Sequence, residues 1–286
     1  PHDFDGDGDL DLFVGGRMQP RLYPTPADSK LLRNDGGTFT DVTAKTAPAL
    51  QALGMVTDAL WSDYDRDGDE DLILTGEWMP ISIFSYEGGS FEKTDIPELQ
   101  TEVGWWFSIR SGDFDRDGDP DFIVGNLGAN YKYKASHEEP FQVFLNDFDE
   151  NGTEDIVLGY FESGELYPVR GRQCSAEQMP FIKKKFPTYD MFAQASLDEI
   201  YGPQPLQQSL NYRATNFQSS YVENLGNGRF RVVPLPIEAQ LSAIHAILLD
   251  DFNGDGHLDA LTAGNLFASE VETPRNDAGL GCLLLG

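Results

Sequence analysis

Aspartates recur along this chain at a spacing that suits a hard metal ion. Five nine-residue segments place aspartate or asparagine at their first, third and fifth positions, glycine at the sixth and aspartate at the ninth: 3–11, 63–71, 113–121, 147–155 and 251–259. Side chains at the first, third and fifth positions of an irregular loop can converge on one ion, the seventh residue offers its main-chain carbonyl, and a last carboxylate closes the shell. The pattern predicts five cation sites, which we call acidic loops 1 to 5.

Oxygen is the ligand type that these loops offer, and this favours Ca²⁺ over Mg²⁺, which prefers a stricter octahedron with retained water. The predicted ligands for up to five Ca²⁺ ions are Asp3, Asp5, Asp7, Asp9 and Asp11 in loop 1; Asp63, Asp65, Asp67, Asp69 and Asp71 in loop 2; Asp113, Asp115, Asp117, Asp119 and Asp121 in loop 3; Asp147, Asp149, Asn151, Thr153 and Asp155 in loop 4; and Asp251, Asn253, Asp255, His257 and Asp259 in loop 5. The seventh residue of each loop is expected to contribute only its carbonyl. Because Asn151 and Asn253 replace aspartates, loops 4 and 5 should bind more weakly.

Two other interpretations of the loops fit less well. An EF-hand needs a glutamate at the twelfth position and a helix on each side, but that position holds Val14, Leu74, Val124, Leu158 and Thr262. Acidic turns without a metal would not need an aromatic residue at the second position and a glycine at the sixth position of all five loops. The repetition of both therefore favours the metal-binding interpretation.

Short strands must position the loops. Each loop is followed by an apolar run, and Gly-rich turns at 33–39, 86–91 and 223–230 are hairpin signals. The second unit predicts its four strands at 56–61, 72–74, 81–86 and 91–96. Four antiparallel strands repeated radially make a blade of a β-propeller, so the predicted fold is all-β.

The uneven spacing of the loops predicts an insertion and incomplete blades. Residues 175–201 have helical periodicity, and the pairs Ser175/Gln178 and Ser196/Glu199 have capping-box spacing, which predicts two short helices there. We expect one domain over 1–286 with partial blades at both ends. It is either part of a larger ring of about seven blades, which we favour, or a small ring that the partial blades close.

Composition narrows the functional classes. The formal charge of −28 opposes binding to nucleic acid or to an anionic membrane. No run of about 18 apolar residues predicts a transmembrane segment. The two cysteines, Cys174 and Cys282, allow at most one disulfide bond. If each loop binds with a dissociation constant of about 10⁻⁴ M, it fills only near millimolar calcium, which predicts a location outside the cytosol.

The loop, the following strand and the glycine resemble the FG-GAP or VCBS repeats of integrin α-subunit propellers and bacterial surface proteins. The strings GMVTDALWSDYDRDGDEDL, GEWMPI, VGNLGANYKYKAS, QMPFIKKKFPTYD and FASEVET resemble more narrowly the bacterial VCBS-repeat proteins of the ASPIC/UnbV group, related to cartilage acidic protein. This resemblance implies a secreted or envelope-attached calcium-binding scaffold for adhesion to proteins or glycans at the cell surface. It carries over no catalytic residues.

A carbohydrate-active enzyme is the alternative, because some polysaccharide lyases are calcium-bound propellers. The segment 105–107, Trp-Trp-Phe, could stack on sugar rings, although its place before loop 3 favours core packing. Lys132, Tyr133, Lys134 and His137 could supply a base near bound calcium. No catalytic pair is evident in the sequence, so the scaffold interpretation is preferred.

One basic cluster stands out in this acidic chain. Lysines fill 183–185, and Arg170 and Arg172 lie upstream. The cluster is either a docking face for an anionic glycan or an acidic neighbour, or the solvated face of a helix. The sequence favours the solvated face.

Overall fold

The protein consists of five antiparallel sheets and a group of short helices. A computed structural model describes residues 1–51 and 53–286. The strands are β1 (Leu12–Val14), β2 (Lys30–Asp35), β3 (Thr38–Asp41), β4 (Met55–Ser62), β5 (Asp71–Pro80), β6 (Ser82–Glu87), β7 (Ser90–Thr94), β8 (Val103–Trp105), β9 (Ser108–Gly112), β10 (Asp121–Gly125), β11 (Phe141–Asn146), β12 (Asp155–Glu162), β13 (Glu165–Pro168), β14 (Leu210–Ala214), β15 (Ser220–Asn224), β16 (Phe230–Pro234), β17 (Ala246–Asp250), β18 (Asp259–Ala263) and β19 (Cys282–Leu284). The α-helices are α1 (Thr43–Thr46), α2 (Pro97–Gln100), α3 (Arg172–Gln178), α4 (Phe181–Lys185), α5 (Tyr189–Ala193), α6 (Leu197–Tyr201) and α7 (Pro203–Gln208), and 3₁₀ turns lie at Pro48–Leu50 and Ile237–Gln240.

We number each sheet by the acidic loop that leads into it. Sheet 1 has the order β1-β2-β3, sheet 2 the order β4-β5-β6-β7 with β8 paired to β5, sheet 3 the order β9-β10-β15-β16, sheet 4 the order β14-β11-β12-β13, and sheet 5 the order β17-β18-β19. The four strands predicted for the second unit are confirmed. So is the all-β, propeller-like fold with four-stranded antiparallel sheets.

In sheets 2 and 3, the strand after the acidic loop alternates its side chains between two neighbouring sheets. In sheet 2, Leu72 and Leu74 pack into a core shared with sheet 1, and Ile73 between them packs into a core shared with sheet 3. In sheet 3, Phe122 faces sheet 2 and Ile123 faces sheet 5. Sheets 1, 2, 3 and 5 therefore stack face to face in that order, and β9 lies between β4 and β17.

Sheet 4 lies outside this stack. The chain leaves sheet 3 after β10, forms sheet 4 and the helices, and returns for β15 and β16. One face of β12, with Ile156 and Leu158, packs against the core that contains Trp78 and Trp105. The opposite face, with Val157, is covered by the helices α3 to α7. The helices thus cover the face of sheet 4 that corresponds to the face covered by the next sheet of the stack in sheets 2 and 3.

The helical insertion is larger than the sequence predicted. Five short helices occupy 172–208, whereas two helices were expected within 175–201. Ser196 forms the predicted capping box with Glu199. The other box, Ser175 with Gln178, was wrong: α3 already begins after Gly171, and the buried Ser175 hydroxyl donates to the carbonyl of Arg170.

The predicted hairpins are present, but the third one completes a distant sheet. The turn at 223–230 joins β15 to β16, and its residues Gly226, Asn227 and Gly228 all have positive φ angles. Because β15 pairs with β10, this hairpin supplies the outer half of sheet 3. The uneven spacing of the loops predicted an insertion but did not locate the strands that complete sheet 3.

Sheet 5 presents an uncovered apolar face. Leu248, Leu261 and Leu283 pair across its three strands and are 63%, 37% and 47% exposed. Leu261 occupies the same repeat position as the fully buried Ile73. Among the described residues, no segment covers this row. Both cysteines are free, and none of the described helices is long and apolar enough to cross a membrane.

The repeat positions make a matched stability test. Ile73→Ala should lower the free energy of unfolding by about 2–5 kcal/mol, because it leaves a cavity between sheets 2 and 3. Leu261→Ala at the equivalent position should cost less than about 1 kcal/mol, because its side chain is partly in solvent. Urea unfolding of both variants in excess calcium measures the difference, and equal losses would contradict the stacking order.

Candidate metal centres

In loops 1, 2, 4 and 5 main-chain amides donate to the first aspartate, so the loop wraps around it. The sixth residues, all glycine, have φ angles between 84° and 99°, and the fourth residues also have positive φ angles. This turn aims amides inward: Gly8 donates to Asp3 at 2.9 Å, and Gly152 donates to Asp147 at 2.7 Å. The glycine that the sequence required for a sharp turn therefore has that role.

The ninth aspartate anchors each loop to its sheet. It is buried in every loop, and one of its oxygens accepts the amide of the aromatic second residue. In loops 1, 2 and 3 the other oxygen accepts an amide from the strand that pairs with the one following the loop, as when Asp71 accepts from Tyr86 at 3.0 Å. In loop 4 the amide of Gln178 donates to it instead. The sequence indicated these residues as ligands only, and their structural role was missed.

Four of the loops bring three carboxylates within 4.8 Å of one another. Among the residues that the structure describes, the groups are Asp3, Asp5 and Asp11; Asp63, Asp65 and Asp71; Asp113, Asp115 and Asp117; and Asp147, Asp149 and Asp155. Loop 5 forms no such carboxylate group in the described structure, because Asn253 stands where the others have aspartate. Its Asn253 amide instead donates to Asp255.

The remaining predicted ligands have other contacts. Two of the seventh-position side chains have partners outside their loop: Asp9 accepts the amide of Gly36, and Asp119 accepts from the guanidinium of Arg66. In loops 1 and 2 the fifth-position carboxylates of Asp7 and Asp67 each accept the seventh residue's amide. A ligand role for the seventh residues would therefore use their carbonyls, as the sequence predicted.

Within the acidic loops, two buried carboxylate oxygens have no donor among the described residues. Oδ1 of Asp63 and Oδ1 of Asp149 are buried and accept no hydrogen bond from any described residue. A buried polar atom without a partner costs free energy, and a cation among the carboxylates would satisfy it. An all-oxygen donor set of this kind fits Ca²⁺.

Burial and mutual repulsion raise the pKa of several loop carboxyls in the metal-free chain. Burial, with Asp65 and Asp67 adding to it, raises the pKa of Asp71 to about 7 against the opposing hydrogen bonds of Tyr86 and Tyr64. Burial followed by the charge of a neighbouring aspartate raises the pKa of Asp5 and of Asp65. A bound cation would favour the charged forms and lower these pKa values.

Arginines connect neighbouring loops. Arg66, at the fourth position of loop 2, donates to Asp119 of loop 3 at 2.9 Å. The guanidinium of Arg116, at the same position of loop 3, lies 3.3 Å from where a Cβ on Gly256 of loop 5 would stand. These contacts were not predicted, although an arginine at this position distinguishes loops 2 and 3 in the sequence.

The residues proposed for sugar chemistry lie apart from the acidic loop that precedes them. Trp105 and Trp106 are buried in the core, which confirms core packing. Lys132 lies over the ring of Tyr133. Tyr133, Lys134 and His137 line one cavity, but they follow the end of β10 opposite loop 3. A base acting near bound calcium is therefore wrong for these residues.

The basic cluster is smaller than the sequence indicated. The three lysines at 183–185 are exposed on α4, and Nζ of Lys185 donates to the carbonyl of Ile200. Arg170 pairs with Glu270 at 2.6 Å, and Arg172 donates to the carbonyl of Phe186. Both arginines therefore serve internal contacts, and only the lysines remain as a basic face.

Comparison with known families identifies the repeat. The family of FG-GAP-like repeats matches twice, over residues 3–74 and 63–124. The two matches contain acidic loops 1, 2 and 3. They support an FG-GAP or VCBS type of repeat and do not extend to the ASPIC/UnbV group. No curated protein matches the chain.

The metal-free chain should become less stable as the pH rises. The carboxyl of Asp71 has a pKa of about 7 when folded and 3.8 ordinarily, so its contribution to stability is complete below the lower value and is lost as the pH passes through the higher one. Chelated protein should therefore unfold at a lower temperature at about pH 8 than at about pH 5. Saturating calcium should reduce the difference. A chelated protein equally stable at both pH values would contradict this.

Two substitutions in loop 2 separate the anchor from the ligands. At about pH 5, Asp71→Ala should destabilise chelated protein by roughly 1–3 kcal/mol for each amide left without an acceptor. Asp67→Ala should change that stability by less than about 0.5 kcal/mol, because its side chain is exposed, yet it should reduce the stabilisation by calcium. Urea unfolding with and without calcium measures both effects. Loss of chelated stability in Asp67→Ala would contradict the assignment.

Proposed function

We propose that this protein is a calcium-stabilised β-propeller scaffold that works outside the cytosol and binds proteins or glycans at a cell surface. The observation that carries the proposal is the convergence of three carboxylates in four successive repeats, two of which hold a buried oxygen without a donor. The FG-GAP-like matches support it, because this type of repeat is typical of scaffold proteins at the cell surface.

Calcium would act on folding in this proposal. Carboxylates held about 4 Å apart repel one another by roughly 1–4 kcal/mol, depending on the effective dielectric. An ion that binds only the folded loop offsets this repulsion and stabilises the chain by mass action. With an assumed dissociation constant of about 10⁻⁴ M and about 1 mM calcium, each site adds roughly 1.4 kcal/mol.

Location follows from the same argument. Loops of this affinity fill at the calcium concentration outside cells and not in the cytosol, so a protein that depends on several of them belongs outside it.

We include in the proposal the loop 5 site, which would use Asp251, Asn253, Asp255 and Asp259 and bind more weakly than the others. A single domain over 1–286 and a relation to the ASPIC/UnbV group also belong to the proposal.

The test is thermal unfolding with a count of bound metal. We expect the chelated chain to bind four or five Ca²⁺ ions per molecule and to gain more than about 10 °C in its unfolding midpoint. Magnesium at the same concentration should give much less. A variant with Asp3→Asn, Asp63→Asn and Asp147→Asn should lose about three ions. No bound calcium and no shift would overturn the proposal.

A further inference from the structure

A cavity of about 480 Å³ opens where the insertion leaves and rejoins sheet 3. Its walls come from four separate segments: Glu102 before β8, the stretch 128–137 after β10, 215–218 before β15, and 232–234 in β16. The volume lies within the range of about 300–1,000 Å³ that is usual for small-molecule sites. The cavity is at the end of β10 opposite acidic loop 3, so it is separate from the candidate metal centres.

A fixed polar group stands in this cavity. The carboxylate of Glu102 lies with one oxygen 3.3 Å from Nε2 of His137, and its other oxygen accepts the side-chain amide of Asn216 at 2.8 Å. Asn216 is itself held, because its oxygen accepts the amide of Gln218 at 2.7 Å. The carboxylate is thus oriented before any ligand arrives, and preorganisation of this kind favours binding.

Besides His137, one acidic and one basic side chain line the cavity: Glu102 and Lys134. Nζ of Lys134 donates to the carbonyls of Ala129 and Tyr131 at 2.6 and 2.9 Å. These hydrogen bonds hold the ammonium group of Lys134 within its own segment of the chain. The chain carries a charge of −28, which repels anionic ligands at long range. Strongly cationic ligands would be drawn to the acidic loops. A neutral ligand suits the cavity best.

The remaining walls are largely apolar. Tyr133, Phe217, Val232 and Pro234 contribute to them. Tyr133 and Phe217 are buried among other aromatic rings, where Tyr133 stacks on Phe141 and Phe217 makes T-shaped contacts with Phe141 and Tyr131, so they offer little ring surface to a ligand. A ligand with C–H surface on one side and hydroxyls that both donate and accept on the other would match these walls and the Glu102–His137 pair.

We propose that this cavity binds a neutral sugar unit. The carboxylate of Glu102 accepts hydrogen bonds from two sugar hydroxyls, and the imidazole of His137 forms a hydrogen bond with a third hydroxyl. This inference rests on the proposed function, since it names a glycan as one partner of the scaffold and locates its site on the side away from calcium. It requires binding only and no bond cleavage.

Titration calorimetry of the calcium-loaded full chain tests the site. The probes are the neutral disaccharides cellobiose, maltose and chitobiose, and an anionic digalacturonate, each to about 10 mM. We expect at least one neutral probe to bind with a millimolar or lower dissociation constant. Glu102→Gln should weaken it about tenfold or more, because a charged acceptor is lost, and His137→Ala should also weaken it.

Glu138→Gln is the matched control, because Glu138 is exposed, adjacent to His137 and outside the cavity. It should bind like the unaltered chain. No binding of any neutral probe, binding of digalacturonate alone, or equal binding by the His137→Ala and Glu138→Gln variants would overturn the inference. The calcium-dependent unfolding midpoint of the same samples reports the scaffold separately, so a failed sugar site leaves that result intact.

Discussion

One buried carboxylate per repeat positions the rest of the structure. The ninth aspartate joins the amide at the start of its loop to the interior of its sheet, where in loops 1 to 3 it accepts an amide of the strand that pairs with the one following the loop. A short loop of aspartates would otherwise have little apolar surface to hold it in place. In loops 1, 2 and 4 this anchoring carboxylate also lies within 4.8 Å of the carboxylates of the first and third aspartates. The FG-GAP-like pattern is therefore an architectural rule as well as a set of candidate ligands.

The loops also interact with one another, which links the candidate metal centres to the order of the sheets. Arg66 extends from loop 2 to Asp119, and Arg116 extends from loop 3 toward loop 5. The positive charge of an arginine partly offsets the repulsion within the neighbouring loop, much as a cation would. Loops 2, 3 and 5 follow one another in the face-to-face stack, although loop 4 separates loops 3 and 5 in the chain. The arginines thus mark neighbours in space that the sequence order hides.

Local features were predictable from the sequence, and distant pairings were not. The strands of sheet 2 and the Gly turns follow from periodicity and turn chemistry, which act within about ten residues. The partner of β10 could not be predicted, because nothing in its apolar pattern distinguishes β15 from a nearer strand. For the same reason His137 showed no acidic partner in sequence, although Glu102 lies beside it. The Ser175 cap failed because the helix began before the apolar periodicity became visible.

The helical cover on sheet 4 changes what a count of repeats means. Sheet 4 has its own acidic loop and its own alternating strand, so by sequence it is equivalent to the others, yet its outer face meets α3 to α7 and not another sheet. A unit closed in this way can branch from the side of a stack without lengthening it. The number of acidic loops in a chain of this kind is thus an upper limit on the number of sheets around its axis. A sheet inserted at the side and a sheet added to the stack are therefore independent changes, and only a sheet added to the stack increases the number of sheets around the axis.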